Sequence, residues 1–238
     1  DFDRGVAVVI PMSNGVDGIC DSGTIAGGTC SINTTKTLTP AYSVNSGSGV
    51  ITIASGGTLK TVNNSAITLT LATFTISGGG SVAVSVTVNA TNVTVNGSIL
   101  ADGLGYEGVI SGAGLGPGAG TVASGNSGGA GGGHGGVGGN GFSGEAGGGT
   151  YDTPSNPTLA GSSGGGGPGG AGGAGGGVIR IIATGTVAIS GATISASGLN
   201  GTGYSGGGGA GGSIYISAAT LTSNSSTTIR AKGGDGVG

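Results

Sequence analysis

The chain has 238 residues, of which 64 are glycine, 6% are charged and 3% are aromatic, with no tryptophan and a net charge of −3. An ordinary globular domain carries roughly 25% charged residues and about 7% glycine, so tight backbone packing is expected in place of ionic recognition. The acidic balance leaves no electrostatic footprint for nucleic acid. The absence of any apolar run of about 18 residues argues against a membrane span.

Residues 1–31 read as a separate N-terminal segment. The run Val6, Ala7, Val8, Val9, Ile10 is apolar on both faces, as in a strand covered on both sides, and Pro11 stops it. Two roles are open to it: a cap on the first strands of its own chain, or a strand donated to a neighbouring copy. The chain opens at Asp1 with no basic–apolar–small leader; a removed leader is one reading of that start. Cys20 and Cys30, ten positions apart in a Gly/Ser/Thr loop, fit one disulfide and an oxidising compartment; the other reading is two unrelated thiols. Asp1, Asp3, Asp17 and Asp21 are the only acid group here that invites Ca²⁺, but they lack the spacing of a calcium loop. No metal or cofactor is therefore expected.

From residue 32 onward a single solenoid domain is expected, 32–238. Ile32–Thr39, Val50–Ala54, Thr58–Val62, Ile67–Ile76, Ser81–Asn89 and Val93–Val95 alternate apolar and polar residues rich in Thr, Val and Ile, which predicts strands. Gly56-Gly57, Asn63-Asn64 and Gly78–Gly80 punctuate them as corners. No helix of ordinary length can be drawn.

Residues 103–177 are nearly half glycine. Composition alone reads as a flexible loop. The triplets from His134 (His-Gly-Gly, Val-Gly-Gly, Asn-Gly-Phe) and from Pro168 (Pro-Gly-Gly, Ala-Gly-Gly, Ala-Gly-Gly) instead predict an insertion of extended, polyglycine-II-like helices, because three residues make one turn of that helix.

The remainder repeats itself. Gly175-Gly-Gly-Val-Ile-Arg-Ile is echoed by Gly211-Gly-Ser-Ile-Tyr-Ile. Ile179 matches Ile214, Ile194 matches Ile229 and Gly198 matches Gly233, each 35 positions on. Asn92–Gly103 matches Thr186–Gly198, Gly79-Gly-Ser-Val-Ala-Val repeats the glycine-led start, and Gly49-Val-Ile-Thr-Ile is a weaker copy. Fixed-period self-similarity marks stacked repeats. The expected fold is all-β, a parallel β-solenoid (β-helix) with a long Gly-rich insertion.

The strand–Ala-x-Gly units at Ala101–Gly103, Ala196–Gly198 and Ala231–Gly233, with Gly211–Ile216, resemble the glycine-rich β-solenoid repeats of cell-surface proteins and extracellular fibres. The Gly triplets also resemble polyglycine-II bundles. The resemblance covers residues 78–238 and implies architecture without implying an activity.

Catalytic machinery is not expected. The nine acids are scattered, whereas solenoid lyases and hydrolases need clustered carboxylates. His134, the single histidine, reads as an exposed or glycine-packed side chain. Asp102, Ser197 and Lys232 fall at one repeat position, so an Asp102–Lys232 ion pair requires adjacent rungs. Seven Asn-x-Ser/Thr sequons, at Asn33, Asn63, Asn89, Asn92, Asn96, Asn200 and Asn224, are glycan acceptors in a suitable host or plain turn and surface residues. The expectation is a secreted or cell-surface structural protein whose partner is a copy of itself in a head-to-tail filament. The alternatives are an adhesin binding a surface ligand or glycan, and an ice-binding protein using Thr rows such as Thr68, Thr70, Thr73 and Thr75. A carbohydrate-active enzyme is the weakest of the readings.

Overall fold

The structure, a computed structural model, describes residues 16–25, 28–40, 42–123 and 128–237. Within them the fold is all-β, with parallel sheets and no α-helix. The strands are β1 (Thr29–Ile32), β2 (Thr35–Leu38), β3 (Ser43–Ile53), β4 (Thr58–Thr61), β5 (Ile67–Ile76), β6 (Ser81–Ala83), β7 (Val86–Val95), β8 (Ser98–Leu100), β9 (Val178–Ala183), β10 (Thr186–Ile189), β11 (Thr193–Ser195), β12 (Ser213–Ser217), β13 (Thr220–Ser223) and β14 (Thr228–Arg230). Two compact units result. One comprises the chain up to Ile99 with Ile181–Thr193 and Ser217–Thr227; the other comprises Leu100–Arg180, Ile194–Ile216 and the chain from Thr228.

In the first unit the chain alternates between two sheets, moving one strand along at each return. One sheet runs β1-β3-β5-β7-β10-β13 and the other β2-β4-β6-β8. The strands pair in parallel, Thr52 with Thr75, Thr75 with Thr94, Thr94 with Ala188 and Ala188 with Thr222. This winding is compatible with the solenoid expected from the repeats. The side-chain period of two fixes which residues point inward. In β5, Ile67, Leu69, Leu71, Phe74 and Ile76 are buried, and in β7 Val86, Val88, Val93 and Val95.

The alternation is broken once in each long strand. Ala72 and Thr73 both face outward in β5, as do Thr91 and Asn92 in β7, while a register shift lies between Ser46 and Val50 in β3. Two successive outward residues reset the phase and bend the strand. Tight corners are made where the chain takes left-handed conformations, at Asn63 and Asn64 (φ 56° each) and at Gly56 and Gly79 (φ 82° each), as Asn and Gly permit.

The repeat assignments need one correction. Gly79-Gly-Ser leads into β6, in the β2-β4-β6-β8 sheet, whereas Gly211-Gly leads into β12, which pairs with β9. The segment Gly49-Val-Ile-Thr-Ile occupies the β10 and β13 position, because Ile51 and Ile53 align through β5 and β7 with Val187 and Ile189. Apolar–polar alternation looks the same on either sheet, so sequence similarity does not separate them.

The second unit has little sheet and is held by backbone. Gly161 N donates to Gly176 O (2.8 Å), Gly176 N to Ala210 O (2.9 Å) and Ala210 N to Ser162 O (2.8 Å). Three residues along, the circuit recurs: Gly164 N to Gly173 O (3.0 Å), Gly173 N to Gly207 O (2.8 Å) and Gly207 N to Gly165 O (2.8 Å). Side chains do not fit between segments this close. A Cβ on Gly175 would lie 1.7 Å from Gly161 O, and one on Gly172 would lie 1.9 Å from Gly164 O.

Candidate functional site

Strand edges and apolar exposure point to the last strands. β13 has β10 as its only neighbour in the sheet order, and β14 ends the other sheet. Val187 is fully buried, yet its register partner Leu221 is 55% exposed. At the matching repeat position Ile194 is fully buried and Ile229 is 47% exposed. These are core side chains by pattern, and among the described residues no strand pairs the outer edge of β13 or β14. In the second unit a cleft of about 700 Å³ is lined by His134, Val137, Ile214, Ile216, Ile229 and Arg230.

Of the two readings of His134, exposed or glycine-packed, the exposed one does not hold. His134 is 7% exposed and packs against the Tyr151 ring at 4.8 Å between centroids. Its Nδ1 lies 3.0 Å from Gly211 O, a carbonyl that can only accept, so Nδ1 carries a proton. Nε2 faces Asp152 Oδ2 at 3.5 Å, too long for a well-formed hydrogen bond, and this buried nitrogen has no other partner. Sequence reasoning missed the pairing because 18 positions of glycine and turn separate the two residues.

Asp152 itself is a loop clamp. Its backbone is left-handed (φ 68°), and its carboxylate accepts from the amides of Thr153, Thr158 and Leu159. Burial works against ionisation, but those amides and His134 outweigh it and hold the carboxyl below its ordinary value. Arg180 ties down the same loop through Pro157 O and Asn156 Oδ1 (2.8 Å), with its guanidinium 4.6 Å from the Tyr215 ring centre. Burial pushes the Tyr151 phenol up. Tyr151 donates to Ala160 O, while Ser162 Oγ donates to Tyr151 Oη and receives Gly118 N. Ser162 is fully buried and engaged.

The rungs of Asp102 and Lys232 are not adjacent, and Asp102 enters a ladder instead. Asp102 accepts from Ser195 Oγ and Ser197 N on the next strand. Ser195 Oγ in turn receives Arg230 Nε (3.0 Å), whose outer nitrogen is 4.0 Å from Asp102. The rung of Ser197 stands between Asp102 and Lys232, since Gly103 N donates to Ser197 O and Gly198 N to Lys232 O.

Cys20 and Cys30 form the expected disulfide. Next to it, Asp21 accepts from Asn33 N, Thr34 N, Thr34 Oγ1 and Lys36 Nζ. Burial opposes its charge, but the Lys36 ammonium and these donors hold the carboxyl far below the usual range. Asp21 is thus a local staple, and no cluster of metal-ligating side chains occurs among the described residues. Asp1, Asp3 and the apolar run Val6–Ile10, expected as a strand, lie outside the described residues, as does the side chain of Asp17. Of the sequon asparagines, Asn33, Asn63, Asn92, Asn96, Asn200 and Asn224 are exposed and Asn89 is half-buried. Three serve as inter-rung acceptors: Asn92 for Thr186 N, Asn200 for Asp235 N and Asn224 for Gly191 N. Among the described residues no helix is long and apolar enough to cross a membrane.

The chain matches no family model, no curated protein and no solved structure.

Proposed function

We propose that this chain is an extracellular structural protein, a parallel β-solenoid bearing a polyglycine-II-like bundle, that joins head to tail with copies of itself into a surface filament. One observation carries the reading: Leu221 is exposed while its register partner Val187 is fully buried. A strand laid along β13 would bury Leu221 and satisfy the edge, and unprotected edges recruit strands. Heterologous contacts of this kind propagate into fibres. The donated strand in this proposal is Val6–Ile10 of the next copy, the one apolar run in the sequence outside the repeats. The disulfide fits a secreted setting, and the exposed sequons are places for glycans there. A non-catalytic role suits His134, Asp152 and Ser162, which are occupied in holding one loop.

Negative-stain microscopy and sedimentation at rising concentration test the proposal. Fibres are expected from the unaltered chain, and their loss in Leu221→Lys and in Val8→Asp. A chain that stays monomeric at every concentration overturns it. The open cleft beside Arg230 favours a second reading, a monomeric adhesin, which predicts saturable ligand binding without polymerisation.

A further inference from the structure

The outer face of the β1-β3-β5-β7-β10-β13 sheet carries an ordered array of short polar side chains. One row crosses six strands without a slip: Ser31, Thr52, Thr75, Thr94, Ala188 and Thr222. Two positions back along the strands a second row contains Thr73 paired with Asn92 and Thr186 paired with Thr220, with Thr186 N bonded to Asn92 Oδ1. Before the bend, Ser43, Thr68 and Thr87 align, as do Asn45, Thr70 and Asn89. On β1, β3, β5, β7 and β10 these positions alternate with buried residues and so point outward, while on the edge strand β13 every residue is exposed.

The geometry of this array follows from the sheet. Hydroxyls repeat about 4.8 Å from strand to strand and about 6.7 Å along each strand, two residues apart. Threonine is stiff at χ1, so its hydroxyl and methyl are fixed by the backbone. The two rows after the bend contain no charged or aromatic residue; before the bend the sheet continues from β7 into β9 and β12, where Arg180 faces outward with its guanidinium over the Tyr215 ring, and the strand aromatic Phe74 is fully buried. The opposite sheet carries one row of the same kind, Thr35, Thr58, Ser81 and Ser98, but the row beside it is Thr37, Lys60 and Ala83, which brings a charge onto that face.

A ligand for such a face must be uncharged, must offer donors and acceptors on a two-dimensional lattice, and must not depend on ring stacking. Sugar polymers are gripped on flat surfaces through aromatic platforms, which the two rows after the bend lack. We propose that the Thr rows bind the surface of ice, whose prism faces present oxygen repeats close to those of the array, with methyls and hydroxyls together ordering the contacting water layer.

The inference is independent of filament assembly, so it is tested on the Leu221→Lys chain as well as the unaltered one. The readouts are thermal hysteresis and inhibition of ice recrystallisation. Activity is expected in both chains, lost in a Thr75→Tyr/Thr94→Tyr variant whose circular dichroism and melting are unchanged. It should be retained in Lys60→Ala on the opposite sheet. Absence of both activities in the folded chain overturns the proposal. So does activity that survives Thr75→Tyr/Thr94→Tyr, or retention on microcrystalline cellulose or chitin without hysteresis.

Discussion

The two units solve one problem, the exclusion of water from a small-residue chain, with different groups. The first fills its interior with Ile, Val, Leu and one Phe from alternating strand positions. The second brings backbones together until only hydrogen atoms separate them, and satisfies their polar groups with cross-segment bonds repeating every third residue. A side-chain core tolerates loss of volume at a graded cost. A backbone core has no spare volume at all, so an added methyl group there is worse than a deleted one in the other unit.

The largest effect is therefore expected from the smallest addition. Gly175→Ala places a methyl carbon 1.7 Å from Gly161 O, within a hydrogen-bonded circuit that has no side chain free to move. Loss of more than about 4 kcal/mol, the range of exceptional single mutations, is expected. A cooperative urea transition close to that of the unaltered chain breaks the comparison. In the first unit Phe74→Ala deletes a fully buried ring and is expected to cost about 3–5 kcal/mol. The same measurement on Leu221→Ala should give well under half of that, because this apolar side chain is half in solvent until a partner covers it.

The disulfide comes next. Cys20→Ser/Cys30→Ser releases a ten-residue loop, and an entropy-based loss of about 2–3 kcal/mol is expected. Asp21, which bonds Asn33, Thr34 and Lys36, holds the same segment by other means. The loss should therefore grow when Asp21→Asn is added, as interacting neighbours do in a double-mutant cycle.

Acid separates the clamps from the cores. The folded Asp152 carboxyl sits below its ordinary 3.8, so it binds protons less readily than in the unfolded chain. Its stabilisation is fully present above the unfolded value and is lost as pH falls through the lowered folded one. Asp21 has the same sign, through Lys36 and the Asn33 and Thr34 donors. Urea midpoints should hold from neutral pH to about 5, then fall in more acid solution. Asp152→Asn should flatten part of that fall; an unchanged acid limb removes the clamp from the argument.

How much of this was legible in the sequence depended on the group doing the work. Strand β5 could be read at both ends, Ile67 and Ile76, because a side-chain core writes its period into residue types. The bend at Ala72–Thr73 could not, since two outward residues in succession look like ordinary noise in a Thr-rich run. The triplets from Pro168 signalled spacing, but the circuit joining Gly161, Gly176 and Ala210 left no mark beyond glycine itself, which carries no side chain to encode a partner. The Cys20–Cys30 link was readable from count and spacing. The His134–Asp152 pairing was not, because a left-handed residue and a loop closed by backbone amides bring them together.

The smallest effect has the opposite sign and tests the backbone-core idea most closely. Gly139 lies in the same Gly-rich unit, yet a Cβ there meets nothing within 4 Å and its backbone is outside the left-handed region. Gly139→Ala thus adds no clash and removes conformational freedom from the unfolded chain, which should stabilise by about 0.4–1 kcal/mol. Its amide-bonded neighbour Gly131, which donates to Gly139 O, keeps its partner. If Gly139→Ala destabilises as Gly175→Ala does, glycine is required throughout the unit for a reason other than contact. If it stabilises, the glycines divide into those that touch another backbone and those that merely share their composition, and the 1.7 Å approach is the physical basis of that division.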